Sequence, residues 1–299
     1  MKLKVFFIFT ALIPFSIINA QKPITLNEDS LKVGTNKYPG ISVTIPEVEY
    51  EKTLKNWVKL QESGTKSKVV DDGGKMSIFG AFSKNISENP VNILSELTDR
   101  DSVLKLTAAI ELKKDVYVER ATGEGELSKA KQYLFDFAKE QYIDLVNEQL
   151  KLEENKLKDL QKELGGLEKD QSGMEKDIRS SNKLISSQKD ELVMLNNELT
   201  TLSAAIIEHN AEYITMDPGE VKDEKAKYIK DLEKQKKKIV KSIKKAENKI
   251  SKAENTISHA NRSIPKNDDT QERIRRLITD QEAVVQKFTD KLNRVKAFK

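Results

Sequence analysis

The chain has 299 residues, of which 33% are charged and 6% are aromatic, with 52 Lys and Arg against 48 Asp and Glu and no cysteine. So many charges and so few aromatic side chains argue against one large globular core. The absence of cysteine excludes a disulfide scaffold, a thiol enzyme and a zinc site built on cysteine. The formal net charge of +4 becomes +2 once Lys2 and Lys4 are set aside, which leaves 50 basic against 48 acidic residues. Charge alone is therefore no argument for nucleic-acid binding.

The first 20 residues have the order of a secretory signal peptide. A basic MKLK start precedes an apolar stretch from Val5 to Ile18, and Asn19 and Ala20 precede Gln21. The apolar stretch is shorter than the roughly 20 residues of a membrane span, and Pro14 interrupts it. The sequence therefore predicts export to the periplasm with cleavage after Ala20. An uncleaved anchor helix is the alternative.

Residues 21–40 read as a polar leader, and residues 41–125 read as a small α+β domain with an antiparallel sheet and a helix. Residues 41–45 alternate as a strand, and residues 44–47 have a capping-box pattern that predicts the start of a helix. The buried face of that helix is predicted to contain Tyr50, Leu54, Trp57, Val58 and Gln61.

Two further features predict the sheet of this domain. The turn sequence Asp71-Asp-Gly-Gly74 separates strands expected at 66–70 and 75–82, so its two aspartates are assigned to turn chemistry rather than to catalysis. A longer strand is expected from Ser102 to Leu112, with one face buried in the core (the dry face) and the other exposed to solvent. The dry face comprises Leu104, Leu106, Ala108, Ile110 and Leu112.

The rest of the chain follows a heptad pattern that predicts a long antiparallel coiled-coil hairpin. From Ile143 to Tyr213, ten of eleven residues at one heptad position are apolar, the exception being Gln171, and six of ten are apolar at the companion position. A second array begins after Pro218 with Ile229 and Leu232. We expect an ascending helix over 126–214, a turn over 215–220 and a returning helix over 221–299, because so short a loop makes neighbouring helices antiparallel.

The side chains of the two arrays also predict a register. If the residue numbers of paired positions add up to about 438, large side chains face small ones, as Leu192 faces Ala246 and Ile185 faces Ala253. Opposing segments 139–177 and 259–297 carry net charges of −4 and +3, which favours the same pairing.

Helix-weakening residues interrupt both arrays and predict breaks near 165–173 and near 265–269. The residues are Gly165, Gly166, Gly173 and Pro265. In the predicted register Gly173 lies opposite Pro265, so we interpret the breaks as a candidate hinge. A continuous, gently bent rod and a fold-back into a four-helix bundle are the alternatives.

Two surfaces of the hairpin are candidate binding sites. Between Lys234 and Lys252 there are nine lysines and one acid, and this patch is suited to a membrane surface or an anionic polymer. The alternative is a solvated face partly balanced by Asp190, Glu191 and Glu198. The residues of the candidate patch are Lys237, Lys238, Lys241, Lys244, Lys245 and Lys249.

The hairpin tip is the second candidate. Residues 208–224 carry six acids and one lysine around Tyr213, Ile214 and Met216. These apolar side chains are candidates for docking a partner protein, because the tip is the unpaired end of a hairpin. Closing the end of the hairpin on itself is the alternative.

No catalytic, cofactor or metal site is predicted. His209 and His259 are far apart in the predicted register, and each lacks a second ligand nearby. The sequence contains no phosphate-binding glycine loop, nucleophilic serine elbow or metalloprotease motif. The prediction is a protein that is not an enzyme and uses no cofactor.

The signal sequence ending Asn-Ala-Gln, the domain opened by ISVTIPEVEYEKTLKNW and the Lys/Glu-rich hairpin together resemble exported coiled-coil proteins of Gram-negative bacteria that have no characterised activity. The resemblance implies a periplasmic address. We therefore expect an envelope scaffold or adaptor that holds protein partners at a distance through its head domain and its hairpin tip. The alternative is a periplasmic holdase chaperone that cradles clients against the lysine-rich shaft. Nucleic acid is not an expected partner. A homo-oligomer is an open alternative, because the same heptads can pair between copies of the chain.

Overall fold

A computed structural model describes residues 23–100 and 103–298. The predicted signal peptide and its cleavage site lie outside the described residues. The chain forms two compact units, of which the first comprises residues up to 153 together with 284–299, and the second comprises residues 154–283. The first unit contains an antiparallel sheet with a helix, and two long helices follow that pack against each other as a hairpin, which confirms the predicted fold class.

The sheet of the first unit has seven strands, with the order β1-β2-β6-β5-β4-β3 and with β7 paired to β6. All of its strand pairs are antiparallel. The strands are β1 (Leu26–Val33), β2 (Asn36–Pro46), β3 (Val70–Asp72), β4 (Lys75–Ala81), β5 (Val91–Arg100), β6 (Val103–Lys113) and β7 (Val116–Tyr117).

Strand β6 lies at the centre of the sheet, and its alternating apolar residues line the core as predicted. Leu104, Leu106, Ala108 and Ile110 are buried together with the facing residues of β2 and β5, whereas Leu112 is only partly buried. The opposite face is not fully wet, because Thr107 and Ala109 are also buried. The predicted hairpin is confirmed, with Gly73 and Gly74 as its turn and with Asp71 and Asp72 in β3. Its first strand, expected at 66–70, instead spans Val70–Asp72.

The predicted polar leader at 21–40 is wrong, because most of it forms the hairpin of β1 and β2. Gly34, with a φ of 61°, begins the two-residue turn that joins these strands. Pro39 lies within β2, but pairing of β2 with β6 begins only at Ile41, so the missing N–H of the proline interrupts no bond on that side. The head domain therefore starts near residue 26 rather than at residue 41.

Helix α1 (Tyr50–Gln61) packs on the sheet, but it begins later than the capping-box pattern predicts. Thr44 lies in β2, and Glu49 precedes the helix without a side-chain cap, so the predicted cap is wrong. The predicted buried face is largely confirmed, since Trp57 and Gln61 are buried and Tyr50, Leu54 and Val58 pack partly buried against the core.

Trp57 joins α1 to the sheet and to the following helix. Its indole Nε1 donates a hydrogen bond of 2.9 Å to Ser95 Oγ on β5, and its ring lies 4.9 Å from that of Phe137 between centroids. Phe137 belongs to α2 (Glu124–Thr215), which begins directly after a short 3-10 helix at Arg120–Thr122. The early turns of α2 therefore complete the core of the first unit.

A polar contact ties the start of α1 to both long helices within the first unit. Glu47 has a φ of 65°, and its carboxylate accepts hydrogen bonds from the Tyr142 hydroxyl at 3.1 Å and from the Lys291 ammonium at 2.6 Å. Tyr142 is fully buried beside Val146, Leu292 and Val295. Burial, and then the Glu47 charge, raise the pKa of the Tyr142 phenol, so it remains a hydrogen-bond donor.

The second unit contains the facing parts of α2 and of α3 (Glu220–Lys296). Their contacts match the predicted register, in which the residue numbers of paired positions add up to about 438. The residue numbers add up to 437 for Glu212 and Lys225, 434 for Leu167 and Asn267, and 442 for Gln171 and Gln271. The predicted antiparallel pairing is therefore confirmed within this unit.

The predicted helix breaks are wrong, because α2 and α3 run without interruption through all four residues of the candidate hinge. Gly165, Gly166, Gly173 and Pro265 are all exposed on the sides of the helices that face away from the seam. The carbonyl that Pro265 leaves without its usual N–H partner is thus on the solvent side, where water satisfies it. Seam packing outweighs the poor helix propensity of these residues. Whether the hairpin bends at this height in solution stays a prediction.

Candidate functional site

Metal-ligating side chains do not gather into a cluster in the parts of the chain that the structure describes. No group of three or more His, Cys, Asp or Glu side chains there is placed to hold a metal ion. Among the same residues, no helix has the length and apolar content needed to cross a bilayer. The features that stand out are instead surfaces of the two long helices.

At the hairpin tip, the three predicted residues divide into two groups. Tyr213 and Met216 are half-buried, and Lys222 of α3 contacts both, since its ammonium lies 5.1 Å from the Tyr213 ring centroid and donates to the Met216 carbonyl oxygen at 2.7 Å. Ile214 is 76% exposed. The Tyr213 ring and the Met216 carbonyl are therefore both in contact with α3, whereas the Ile214 side chain is exposed.

A polar cluster lies directly below the tip. Lys225 Nζ is 3.0 Å from His209 Nδ1 and also contacts the Glu212 carboxylate, and the His209 ring meets the edge of the Tyr228 ring. The hydrogen bond from Lys225, and then that from His209, lower the pKa of Glu212. These partners satisfy one another across the two helices, so the cluster fixes the last layers of the seam.

The outer face of α2 below the tip carries almost no charge, although a third of the whole chain is charged. From Val193 to Thr215, eleven side chains occupy the outer heptad positions of α2, all are exposed, and Glu208 is the one charged member. Val193, Met194, Ile207 and Ile214 are between 61% and 76% exposed. We call this surface the neutral stripe. It comprises Val193, Met194, Asn197, Thr200, Thr201, Ala204, Ile207, Glu208, Ala211, Ile214 and Thr215.

The neutral stripe was missed by the sequence analysis, apart from Ile214. The signal was present, because these residues occupy the heptad positions that coiled coils normally fill with charged side chains. The apolar heptad positions predict the seam, and the heptad pattern predicts solvent exposure for the outer positions.

The predicted lysine patch lies mainly on the outer face of α3. Lys237, Lys238, Lys241, Lys244 and Lys245 are exposed there, whereas Lys249 occupies the flank of the helix beside α2. Asp190, Glu191 and Glu198 form no ion pair with these lysines in the described part of the chain.

The first unit presents one face of its sheet away from α1. Pairing places Val70, Ser77, Leu94 and Ala109 in one row across that face, next to Phe79. Val70 and Phe79 are 64% and 63% exposed. This face is a second surface that the sequence analysis did not identify.

These features define an α+β unit joined to a two-helix coiled-coil hairpin. No protein-family model matches the chain. No curated protein sequence matches it either. Among solved structures, the chain is similar to the Smc head domain with a coiled coil and joint derived from Pyrococcus yayanosii, with 11% identity and a TM-score of 0.28. That match covers 86% of this chain, and the chain spans 55% of the length of that structure.

Proposed function

We propose that the protein is an exported, non-enzymatic scaffold or adaptor of the cell envelope, whose hairpin docks a partner protein on the neutral stripe. The observation that carries this proposal is the exposure of Val193, Met194, Ile207 and Ile214 on one face of α2. Periplasmic location rests on the signal-peptide pattern of residues 1–20.

The chemistry of the stripe fits a helical or flat protein surface. Its Val, Met and Ile side chains give apolar contact area, and the intervening Thr and Ala residues are small enough for close approach. An isolated exposed apolar residue needs no explanation, but four lie on one helix face within 22 residues, and the residues between Met194 and Ile207 on that face are small or uncharged. The single carboxylate, Glu208, leaves little charge to desolvate when a partner covers the stripe.

The first unit offers the second attachment point that an adaptor requires. The open face of its sheet carries Val70 and Phe79, which form a smaller apolar surface. We assign partner binding to both units, with the neutral stripe as the primary site.

The test compares two double variants that each remove two exposed apolar side chains. Ile207→Ser with Ile214→Ser lies on the stripe, and Leu152→Ser with Val240→Ser lies elsewhere on the two helices. Pull-down from detergent-solubilised envelope should enrich a few defined proteins with the wild type and the control, and lose them with the stripe variant. Calorimetry with the purified partner should then show at least a tenfold weaker affinity for the stripe variant.

Two outcomes would overturn the adaptor proposal. One is equal recovery of every partner by the stripe and control variants. The other is suppression of aggregation of unrelated denatured clients at stoichiometric ratio, which would identify a holdase. Cell fractionation of the full chain tests the envelope location separately, since a cytoplasmic protein would contradict export.

A further inference from the structure

A band of positive charge follows the outer face of α3 for nine turns, on a different helix from the neutral stripe. From Lys234 to Lys266, fifteen side chains occupy the outer heptad positions of α3, and nine of them are Lys or Arg while none is Asp or Glu. We call this surface the cationic band. Its charged members are Lys234, Lys237, Lys238, Lys241, Lys244, Lys245, Lys252, Arg262 and Lys266.

The charges of the band are available to a partner. All nine residues are exposed, and among the described residues Lys234 is the one member with a carboxylate within 4.0 Å, that of Asp231. Nearby acids such as Glu233, Glu247 and Glu254 occur on one flank of α3 rather than on the band itself. Since the outer positions of a coiled-coil helix point away from its partner helix, α2 does not neutralise the band.

The band ends in a shallow depression on the surface of α3. This depression has a volume of about 370 Å³ and is lined by Asn255, Ser258, His259, Arg262, Ser263 and Lys266. Arg262 Nη2 donates to Ser258 Oγ at 2.8 Å, which holds the guanidinium against the helix. Hydroxyl, amide and guanidinium donors therefore lie together at this end, as phosphate oxygens require.

We propose that the cationic band binds the phosphate headgroups of an anionic phospholipid bilayer. At ~1.5 Å per residue its 33 residues extend about 50 Å along α3, and the charges follow one side of that helix. A bilayer surface extends beyond this length in every direction, so successive cations of the band have phosphates within their reach. Clustered basic residues near a surface of anionic lipids add their attractions, as polybasic segments do.

A nucleic acid fits the band less well. Lysines make up eight of the nine cations and no aromatic residue lies between them, whereas nucleic-acid sites commonly use arginine forks and aromatic stacking. The band also has no apolar side chain for insertion, so binding should be peripheral and should weaken strongly with salt.

The experiment uses the full chain without its predicted signal peptide and two quadruple variants with equal loss of charge. The band variant replaces Lys237, Lys241, Lys244 and Lys245 by Gln, and the control variant replaces the exposed Lys158, Lys162, Lys169 and Lys176 of α2 by Gln. Glutamine has nearly the helix propensity of lysine, so helical circular dichroism should be unchanged in both variants.

Co-sedimentation is measured with vesicles of 30% phosphatidylglycerol in phosphatidylcholine, and with vesicles of phosphatidylcholine alone. We expect the wild type and the control variant to bind the anionic vesicles within twofold of each other, and the band variant to bind at least tenfold more weakly. Raising the salt from 50 to 300 mM should reduce wild-type binding at least tenfold.

Three results would overturn the proposal. The first is equal binding to the two kinds of vesicle. The second is an equal loss of binding in the band and control variants. The third is tighter binding of a 20-base-pair duplex than of anionic vesicles at equal phosphate concentration, which would assign the band to nucleic acid.

Discussion

Gln271 of α3 donates a side-chain hydrogen bond to the amide oxygen of Gln171, which faces it across the seam between α2 and α3. Its second amide hydrogen goes to Asn267 Oδ1 at 2.6 Å, and its own oxygen accepts from Arg275 Nη2 at 2.8 Å. Asn267 in turn donates to the Leu167 carbonyl oxygen at 3.1 Å. The one polar residue in the heptad series from Ile143 to Tyr213 is thus part of a layer in which each amide has partners, and such layers favour one register over its neighbours.

This layer predicts that one substitution lowers the free energy of unfolding and that a second substitution raises it again. Gln271→Leu alone leaves the oxygens of Gln171 and Asn267 without their donor and should lower the free energy of unfolding by about 1–3 kcal/mol. Adding Gln171→Leu should recover part of that loss, because it removes the Gln171 oxygen that lost its donor, while the Asn267 oxygen stays without one. Thermal unfolding followed by helical circular dichroism measures both variants. A double variant that is as unstable as two independent losses would contradict the role of the layer.

The register predicts which cysteine pairs can form a disulfide. Ile185→Cys with Ala253→Cys should crosslink on oxidation, because these residues face each other in the seam, and the chain has no other cysteine. Ile178→Cys with Ala253→Cys is displaced by one heptad and should not. Non-reducing gel electrophoresis shows the product. A crosslink at the mass of two chains would indicate that the hairpin arms pair between copies, and crosslinking of the displaced pair alone would refute the register.

Trp57 is the only tryptophan, so it both stabilises the first unit and reports on it. Trp57→Phe removes the hydrogen bond to Ser95 and part of the contact with Phe137, and should lower the free energy of unfolding by about 2–3 kcal/mol. Ser95→Ala keeps the ring and removes the oxygen that accepts from both Trp57 and Gln61, and should cost about 1–2 kcal/mol. Urea unfolding followed by circular dichroism compares the two. Equal losses would show that ring packing contributes little here.

The long helices were predictable because their heptads continue for many turns, and each turn repeats the same signal. Even the register could be predicted, since Ala246, Ala253 and Ala260 fit only opposite larger side chains. The breaks were mispredicted because propensity is a local quantity. Gly165 and Pro265 stand on exposed faces, where the rest of the seam supports the helix on both sides.

The first two strands were not predictable in the same way. In β1 only Leu31 is buried, so an edge strand with a polar sequence looked like a leader. The signal in the sequence for these two strands was Gly34, which begins the turn between them. Of the candidate surfaces, the lysine patch was visible as a charge run, but its separation from Lys249 and its extension to Lys266 require the positions of side chains around α3.

The ion pair of Asp29 and Lys105 predicts an acid-dependent loss of stability in the first unit. Lys105 Nζ donates to Asp29 at 2.6 Å, and this hydrogen bond is the main cause that lowers the pKa of Asp29 below its ordinary value of 3.8. Because the folded-state pKa is the lower one, the contribution is complete above about pH 4 and is lost as the pH falls through the lowered value. NMR titration of the Asp29 carboxyl carbon should show a midpoint below 3.8. Lys105→Met should raise this midpoint, and an unchanged midpoint would contradict the assignment.

Replacing the glycines of α2 by alanine is predicted to stabilise the protein. At Gly165, Gly166 and Gly173 an added Cβ would meet no atom within 4 Å, so replacement by Ala should raise the free energy of unfolding by about 0.5–1 kcal/mol each. Gly74→Ala is the matched control with the opposite sign, because Gly74 has a φ of 89° and a Cβ there would collide with the Tyr50 hydroxyl. Thermal unfolding compares all four variants.

A double variant, Gly173→Ala with Pro265→Ala, tests whether the predicted hinge is used in function. If it is, this variant should be more stable and should bind its envelope partner less well. Unchanged binding would show that the hairpin works without bending there.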